Sequence, residues 1–202
     1  TFVARTATAG MKWLEEQPKK DNLMLWLDCF YPHEPWDPPA PYDRMYTDPD
    51  YTGQDIIQPI PGYVDGYLTE EETKHIFKLY AGKVTLCDTW VGKLLDKLKE
   101  LGMYENTMII YTTDHGEPFA EHGIIRKSHP LLYEELVRIP LIIKTPEGWG
   151  AGQRFNQLIE TTEIFPTVLD YMNVKAPPRI HGKSLLPLMK GEVDKLRDRV
   201  YI

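Results

Sequence analysis

The chain has 202 residues, 42% of them hydrophobic and 26% charged, with a formal net charge of −7. That composition belongs to a globular chain with a sizeable core, and the acidic balance argues against general binding to nucleic acid or to an anionic membrane surface. No stretch approaches the roughly 20 apolar residues of a membrane helix, and two cysteines far apart in sequence give no disulfide framework.

Taken in chain order, Phe2, Val3, Ala4, Ala7, Ala9, Met11, Trp13 and Leu14 set out a helix over residues 2–17 that runs into Pro18. Residues 18–22 are a polar connector. The apolar run from Leu23 to Asp28 predicts a strand covered on both faces, with Cys29 as a small core residue beside it. Residues 32–61 hold eight prolines with Tyr42, Tyr46 and Tyr51, which predicts a long ordered loop or a cover over a cleft. Thr69 has the features of an N-cap, and Glu70, Glu71 and Glu72 suit the positive end of a helix. Apolar positions at 76, 80, 84, 87, 91, 94, 98 and 101 then alternate steps of four and three, one helical face that ends at Gly102. Met108 to Thr113 and Val137 to Ile143 read as strands, with Pro140 marking an edge or a bulge in the second. Residues 145–152 read as a loop. The alternation of strand and helix implies an α/β fold, a mostly parallel sheet between helices.

The chemistry concentrates after the first of these late strands, in Asp114-His115-Gly116-Glu117. Carboxylate and imidazole are both metal ligands, and α/β proteins place their chemistry at strand ends. Neighbouring side chains of a regular strand point to opposite faces, so Asp114 and His115 converge only where the chain turns. Gly116 supplies the freedom to turn there. The motif reads as half a metal site.

The segment from Glu121 to Ile143, with Glu121-His-Gly, Lys127, His129 and Leu132-Tyr-Glu-Glu before Arg138-Ile-Pro-Leu-Ile, resembles the sulfatase family of the alkaline phosphatase superfamily. Leu25 to Pro35, with its Pro32-His33-Glu34-Pro35, looks like the family's strand ending in His-x-Pro. Thr162 to Tyr171 and His181 to Leu188 look like its last catalytic-domain helix and the loop that follows. The resemblance implies an alkaline phosphatase-like α/β fold and hydrolysis of a sulfuric ester with a divalent metal ion. It implies calcium first by family habit, whereas an imidazole ligand ranks manganese second. The substrate it implies is a small-molecule or glycan sulfate ester.

Residue by residue, the resemblance makes Asp114 and His115 metal ligands. His33 matches a histidine that contacts the sulfate ester and protonates the leaving oxygen. Lys127 and His129 compete for the cation that holds a sulfate oxygen: His129 stands four before Tyr133, in register, and Lys127 carries the permanent charge. Glu117 and His122 fix the loop after the metal ligands. Arg138 pairs with Glu134 or Glu135, and aromatic side chains such as Trp36, Tyr42, Tyr46 and Trp149 either line a sugar or aryl pocket or pack against the body. Family members hydrolyse with a formylglycine made from Cys/Ser-x-Pro-x-Arg, and no Cys or Ser of this chain stands in that pattern. The family's Asp-Asp metal pair is also missing. A chain that opens at Thr1 and stops at Ile202 therefore reads as the C-terminal part of a catalytic domain, residues 1–202, whose N-terminal part bears the formylglycine. The alternatives are a phosphonate-monoester or phosphodiester hydrolase of the same superfamily, or a non-catalytic relative serving as a binding module.

Overall fold

The computed structural model describes residues 1–127 and 131–202. In chain order the elements are α1 (Phe2–Glu16), β1 (Gly62–Tyr63), α2 (Glu70–Glu100), β2 (Ile109–Thr112), β3 (Ile124–Ile125), α3 (Glu134–Val137), β4 (Leu141–Lys144), α4 (Ile164–Tyr171) and α5 (Leu186–Met189). They fall into two compact units, one of Thr1–Glu105 with Glu117–Leu131, the other of Asn106–Gly116 with Leu132–Ile202. Among the described residues no helix is long and apolar enough to cross a membrane.

In the first unit, α1 buries Val3, Ala7, Gly10 and Leu14, the alternating spacing of a helix with one apolar face. It lies against α2, and Lys97 of α2 reaches Glu15 at 2.8 Å. The predicted start of α2 is the observed one. Thr69 accepts the Glu72 amide at 3.2 Å while the Glu72 carboxylate accepts the Thr69 amide at 2.8 Å, a reciprocal capping box.

The buried face of α2 departs from the predicted stripe. His75, Ile76, Leu79, Gly82, Lys83 and Leu86 are buried, while Val84 is exposed. The reason lies in the proline-rich segment, which supplies polar partners. Lys83 donates to the Pro35 carbonyl, stands 3.3 Å from Asp37 and lies over the Tyr31 ring at 3.9 Å. An ammonium so surrounded can be buried because it is paired and hydrogen-bonded.

The same segment carries no helix or strand from residue 31 to residue 61, as expected of its prolines, yet it is firmly anchored. Trp36 is fully buried with Ile76, Leu79 and Ile125 in the core, and its ring lies 5.0 Å from that of Phe119. Tyr42 and Tyr46 bond Thr89 and Thr85 of α2 at 3.2 and 2.8 Å. These aromatic residues hold the segment on the helix. Leu23 to Asp28 forms no strand, because no segment pairs with its backbone among the described residues. Met24 and Trp26 are exposed there, so the expectation of a strand covered on both faces is corrected.

In the second unit, β2 and β4 pair antiparallel, with Ile109 opposite Lys144 and Thr112 opposite Leu141. The predicted strand from Val137 begins only at Leu141. Val137 closes the single turn α3, and Pro140, which lacks an amide proton, stands before the ladder rather than inside it. The other ladder, β1 with β3, is antiparallel too. The pairing among the described residues is therefore antiparallel, unlike the parallel pairing expected of the sheet. Beyond β4, a 3₁₀ turn at Thr161–Glu163 leads into α4. Thr167 joins that turn to α5 by donating to Glu163 O at 2.6 Å and accepting from Leu185 N at 2.8 Å.

Candidate active site

At the carboxyl end of β2 the chain bends, which releases Asp114 and His115 from strand alternation. The Asp114 carboxylate accepts the His115 amide at 3.0 Å and the Thr113 hydroxyl at 3.3 Å. His115 Nδ1 lies 2.6 Å from Gly116 O, so this nitrogen carries the proton and donates, which leaves the Nε2 lone pair outward. Nε2 stands 3.7 Å from Asp114 Oδ2, and Asp114 is 86% and His115 33% exposed in their side chains. Partial burial works to raise the Asp114 carboxyl. The neighbouring His115 ring, the backbone amides and Thr113 outweigh it and hold the group below the usual carboxylate range.

Gly116 is needed for a different reason from the expected torsional freedom. Its φ is not among the positive ones, but a Cβ there would stand 2.0 Å from Glu135 O. The Gly116 amide donates to Leu136 O at 2.7 Å, so strand end and α3 are pressed together at a point where only glycine fits.

The first unit holds a separate charged cluster. Glu34 is fully buried in its side chain, and His33 and Lys127 beside it are 29% and 30% exposed. One Glu34 oxygen meets Arg126; the other lies 3.2 Å from His33 Nδ1 and 3.6 Å from Lys127 Nζ. His33 Nδ1 is also 2.8 Å from Glu34 O, and its ring stacks on Phe30 at 4.1 Å. Glu117 accepts the Lys127 amide at 2.8 Å and stands 3.9 Å from its ammonium, which matches its expected role in fixing this loop. Burial pulls the Arg126 guanidinium below its usual range, a cost that the Glu34 carboxylate offsets.

Of the site residues expected from sequence, the structure thus brings together Asp114 with His115 in one unit and His33 with Lys127 in the other. His129 lies outside the described residues. Sequence reasoning misses Glu34 and Arg126, for which the available signal was a carboxylate set between His33 and Pro35. Arg138 pairs with Glu134 at 3.4 Å on the surface, as expected. Cys87, inside α2, has its thiol pushed up to about 12 by burial and by Cys29, so it remains an inert thiol.

Asp114 Oδ2 and His115 Nε2 fit two positions around one divalent ion, since ligands at about 2.0–2.6 Å from a shared ion span separations of this size. Among the described residues no group of three His, Cys, Asp or Glu side chains converges. The pair fits as part of a ligand set.

The sequence model of the sulfatase family matches residues 2–174. An arylsulfatase of Clostridium perfringens is 29% identical over 211 residues, 95% of this chain and 42% of the relative. Among solved structures, the phosphonate monoester hydrolase of Agrobacterium radiobacter superposes with a TM-score of 0.77 at 26% identity, covering 95% of this chain and 42% of that one. A protein solved with its substrate D-glucosamine-2-N,6-O-disulfate is 32% identical, with a TM-score of 0.58 over 66% of this chain and 28% of its own. The chain belongs to the sulfatase family and has the alkaline phosphatase-like α/β fold, in part. It spans about two-fifths of the length of the Clostridium perfringens arylsulfatase and of a Trinickia caryophylli alkaline phosphatase superfamily protein, and less than a fifth of an extracellular sulfatase homologue of Drosophila melanogaster. The family as a whole is associated with a metal ion and a formylglycine.

Proposed function

We propose that residues 1–202 are the C-terminal part of a sulfatase catalytic domain, and that the whole enzyme cleaves a sulfate monoester. The observation that carries this reading is the pair Asp114 Oδ2 and His115 Nε2, 3.7 Å apart at a strand end, in a chain of the sulfatase family. Asp114 and His115 hold the divalent ion, calcium first and manganese second, with further ligands and the formylglycine coming from residues outside this segment. The chemistry the ion supplies when bound is polarisation of the sulfate oxygens and orientation of the nucleophile. His33 presents Nε2 to the ester, because Nδ1 is committed to Glu34. An imidazole titrates near neutral pH, so it is suited to deliver a proton to the departing oxygen. Lys127 or His129 holds a sulfate oxygen as negative charge develops. The substrate is a small-molecule or glycan sulfate ester, and the relative bound to a glucosamine disulfate favours a sugar sulfate.

A second reading, cleavage of a phosphonate monoester, is supported by the likeness to the Agrobacterium radiobacter hydrolase. The full-length enzyme assayed on an aryl sulfate and an aryl phosphonate separates the two. Asp114→Ala should lower turnover more than about 100-fold, since it removes a ligand rather than a supporting group. Arg138→Ala breaks only an exposed pair and should change stability by less than ~1 kcal/mol and leave turnover intact. Cleavage of the phosphonate alone favours the second reading. Cleavage of neither ester puts a non-catalytic binding module in its place, and full activity in Asp114→Ala removes Asp114 from the ligand set.

A further inference from the structure

We propose that Glu34 is a positioning residue, a single buried carboxylate that holds the His33 imidazole and the Lys127 ammonium in one fixed geometry. The inference rests on the reading of His33 and Lys127 as groups that act on the ester.

Glu34 has no solvent to stabilise its charge, and neither of its oxygens completes a hydrogen bond among the described residues. Its compensation is ionic and divided between the two oxygens. Arg126, which also donates to Pro59 O at 2.8 Å, neutralises one from within the fold. The other oxygen is shared by His33 Nδ1 at 3.2 Å and Lys127 Nζ at 3.6 Å. If Glu34 served stability alone, Arg126 would suffice as a partner. Its second oxygen instead faces two part-exposed groups, each already held at another point. The stack on Phe30 and the Glu34 carbonyl fix the imidazole, and Glu117 fixes Lys127 at its amide. Among the described contacts the carboxylate is common to both, so it sets their separation.

The charges give the idea a distinctive signature. Glu34 and Glu117 carry two negative charges, and Arg126 and Lys127 two positive ones, so with neutral His33 the cluster sums to zero. Glu34→Gln keeps the shape and raises the sum to +1. An anion should then bind better while the reaction runs worse, because the two groups lose their shared anchor.

The test uses the full-length enzyme, with inorganic sulfate as the binding probe in calorimetry and an aryl sulfate as substrate. Glu34→Gln should bind sulfate about 3- to 10-fold more tightly and lose about 10- to 100-fold in kcat. Glu34→Asp should recover part of kcat. A folded Glu34→Gln enzyme with unchanged kcat, or with weaker sulfate binding, overturns the proposal. Nitrogen NMR of the wild-type and Glu34→Asp enzymes, labelled at histidine, decides it even where Glu34→Gln does not fold. A neutral His33 protonated at Nδ1, with its N–H resonance moved in Glu34→Asp, supports the anchor; an unmoved resonance, or protonation at Nε2, overturns it. If the wild-type enzyme cleaves no ester, the functional reading fails by itself, and the sulfate affinities and the His33 resonance still decide the role of Glu34.

Discussion

Asp55 faces two hydrogen-bond donors of the Arg44 guanidinium at 3.2 and 2.8 Å, and His75 Nε2 at 2.7 Å. Burial works to raise its carboxyl, but His75 and Arg44 outweigh it and hold the group below its ordinary 3.8. A depressed folded-state value means that the unfolded chain binds more protons through the window between the two values. The stabilisation is therefore complete above about pH 4 and is lost as pH falls through the folded-state value. Asp55→Asn should cost about 1 kcal/mol at pH 7, allowing for the carboxylate's partial exposure. Urea unfolding followed by tryptophan fluorescence should show that cost shrinking below pH 4, and a cost independent of pH would refute the assignment. Asp114 and His115 are legible in the sequence because the whole arrangement is contiguous. Glu34 is not, because its partners Arg126 and Lys127 come from the far end of the same unit. Gly116 is legible as an important position but not for its reason, since the Glu135 carbonyl that crowds it is a tertiary neighbour.

The long helix α2 separates local from long-range information. Its start follows from Thr69 and Glu72 alone, and its length from an unbroken apolar period, so both are legible. Which residues are buried is not, because the proline-rich segment that covers α2 has no period to read. The same contact gives a contrast between two substitutions. Thr69→Ala removes the cap and should cost about 1 kcal/mol. Gly82→Ala would gain up to about 1 kcal/mol from helix propensity in isolation. Its Cβ, however, would stand 2.1 Å from Tyr42 O, a backbone atom that cannot move without lifting the segment anchored by Tyr42, Tyr46 and Trp36. We expect Gly82→Ala to lower the unfolding temperature more than Thr69→Ala does, by a net loss of about 1–3 kcal/mol. A stabilised Gly82→Ala protein would show that the segment does not seat on the helix. The strand expected at Leu23 to Asp28 fails for a related reason: apolar content favours a strand, but only a partner backbone makes one.

At the scale of the whole molecule, the Asp114–His115 pair and the His33–Lys127 cluster lie in different compact units, and the chain spans at most about two-fifths of the curated relatives described. Calcium normally takes six to eight oxygen ligands, whereas Asp114 and His115 supply one carboxylate and one imidazole. Imidazole is the poorer partner for so hard an ion, and manganese tolerates it better. The 202-residue chain by itself should therefore bind either ion weakly, with a dissociation constant above about 10⁻⁴ M. The full-length enzyme should bind more tightly, because further ligands close the site, and Asp114→Ala should weaken binding in both forms. Calorimetric titration of the two proteins with each ion measures this directly. Tight, stoichiometric calcium binding by the 202-residue chain would mean that its own residues complete the ligand set, and the division of the site between this segment and the rest of the enzyme would fall.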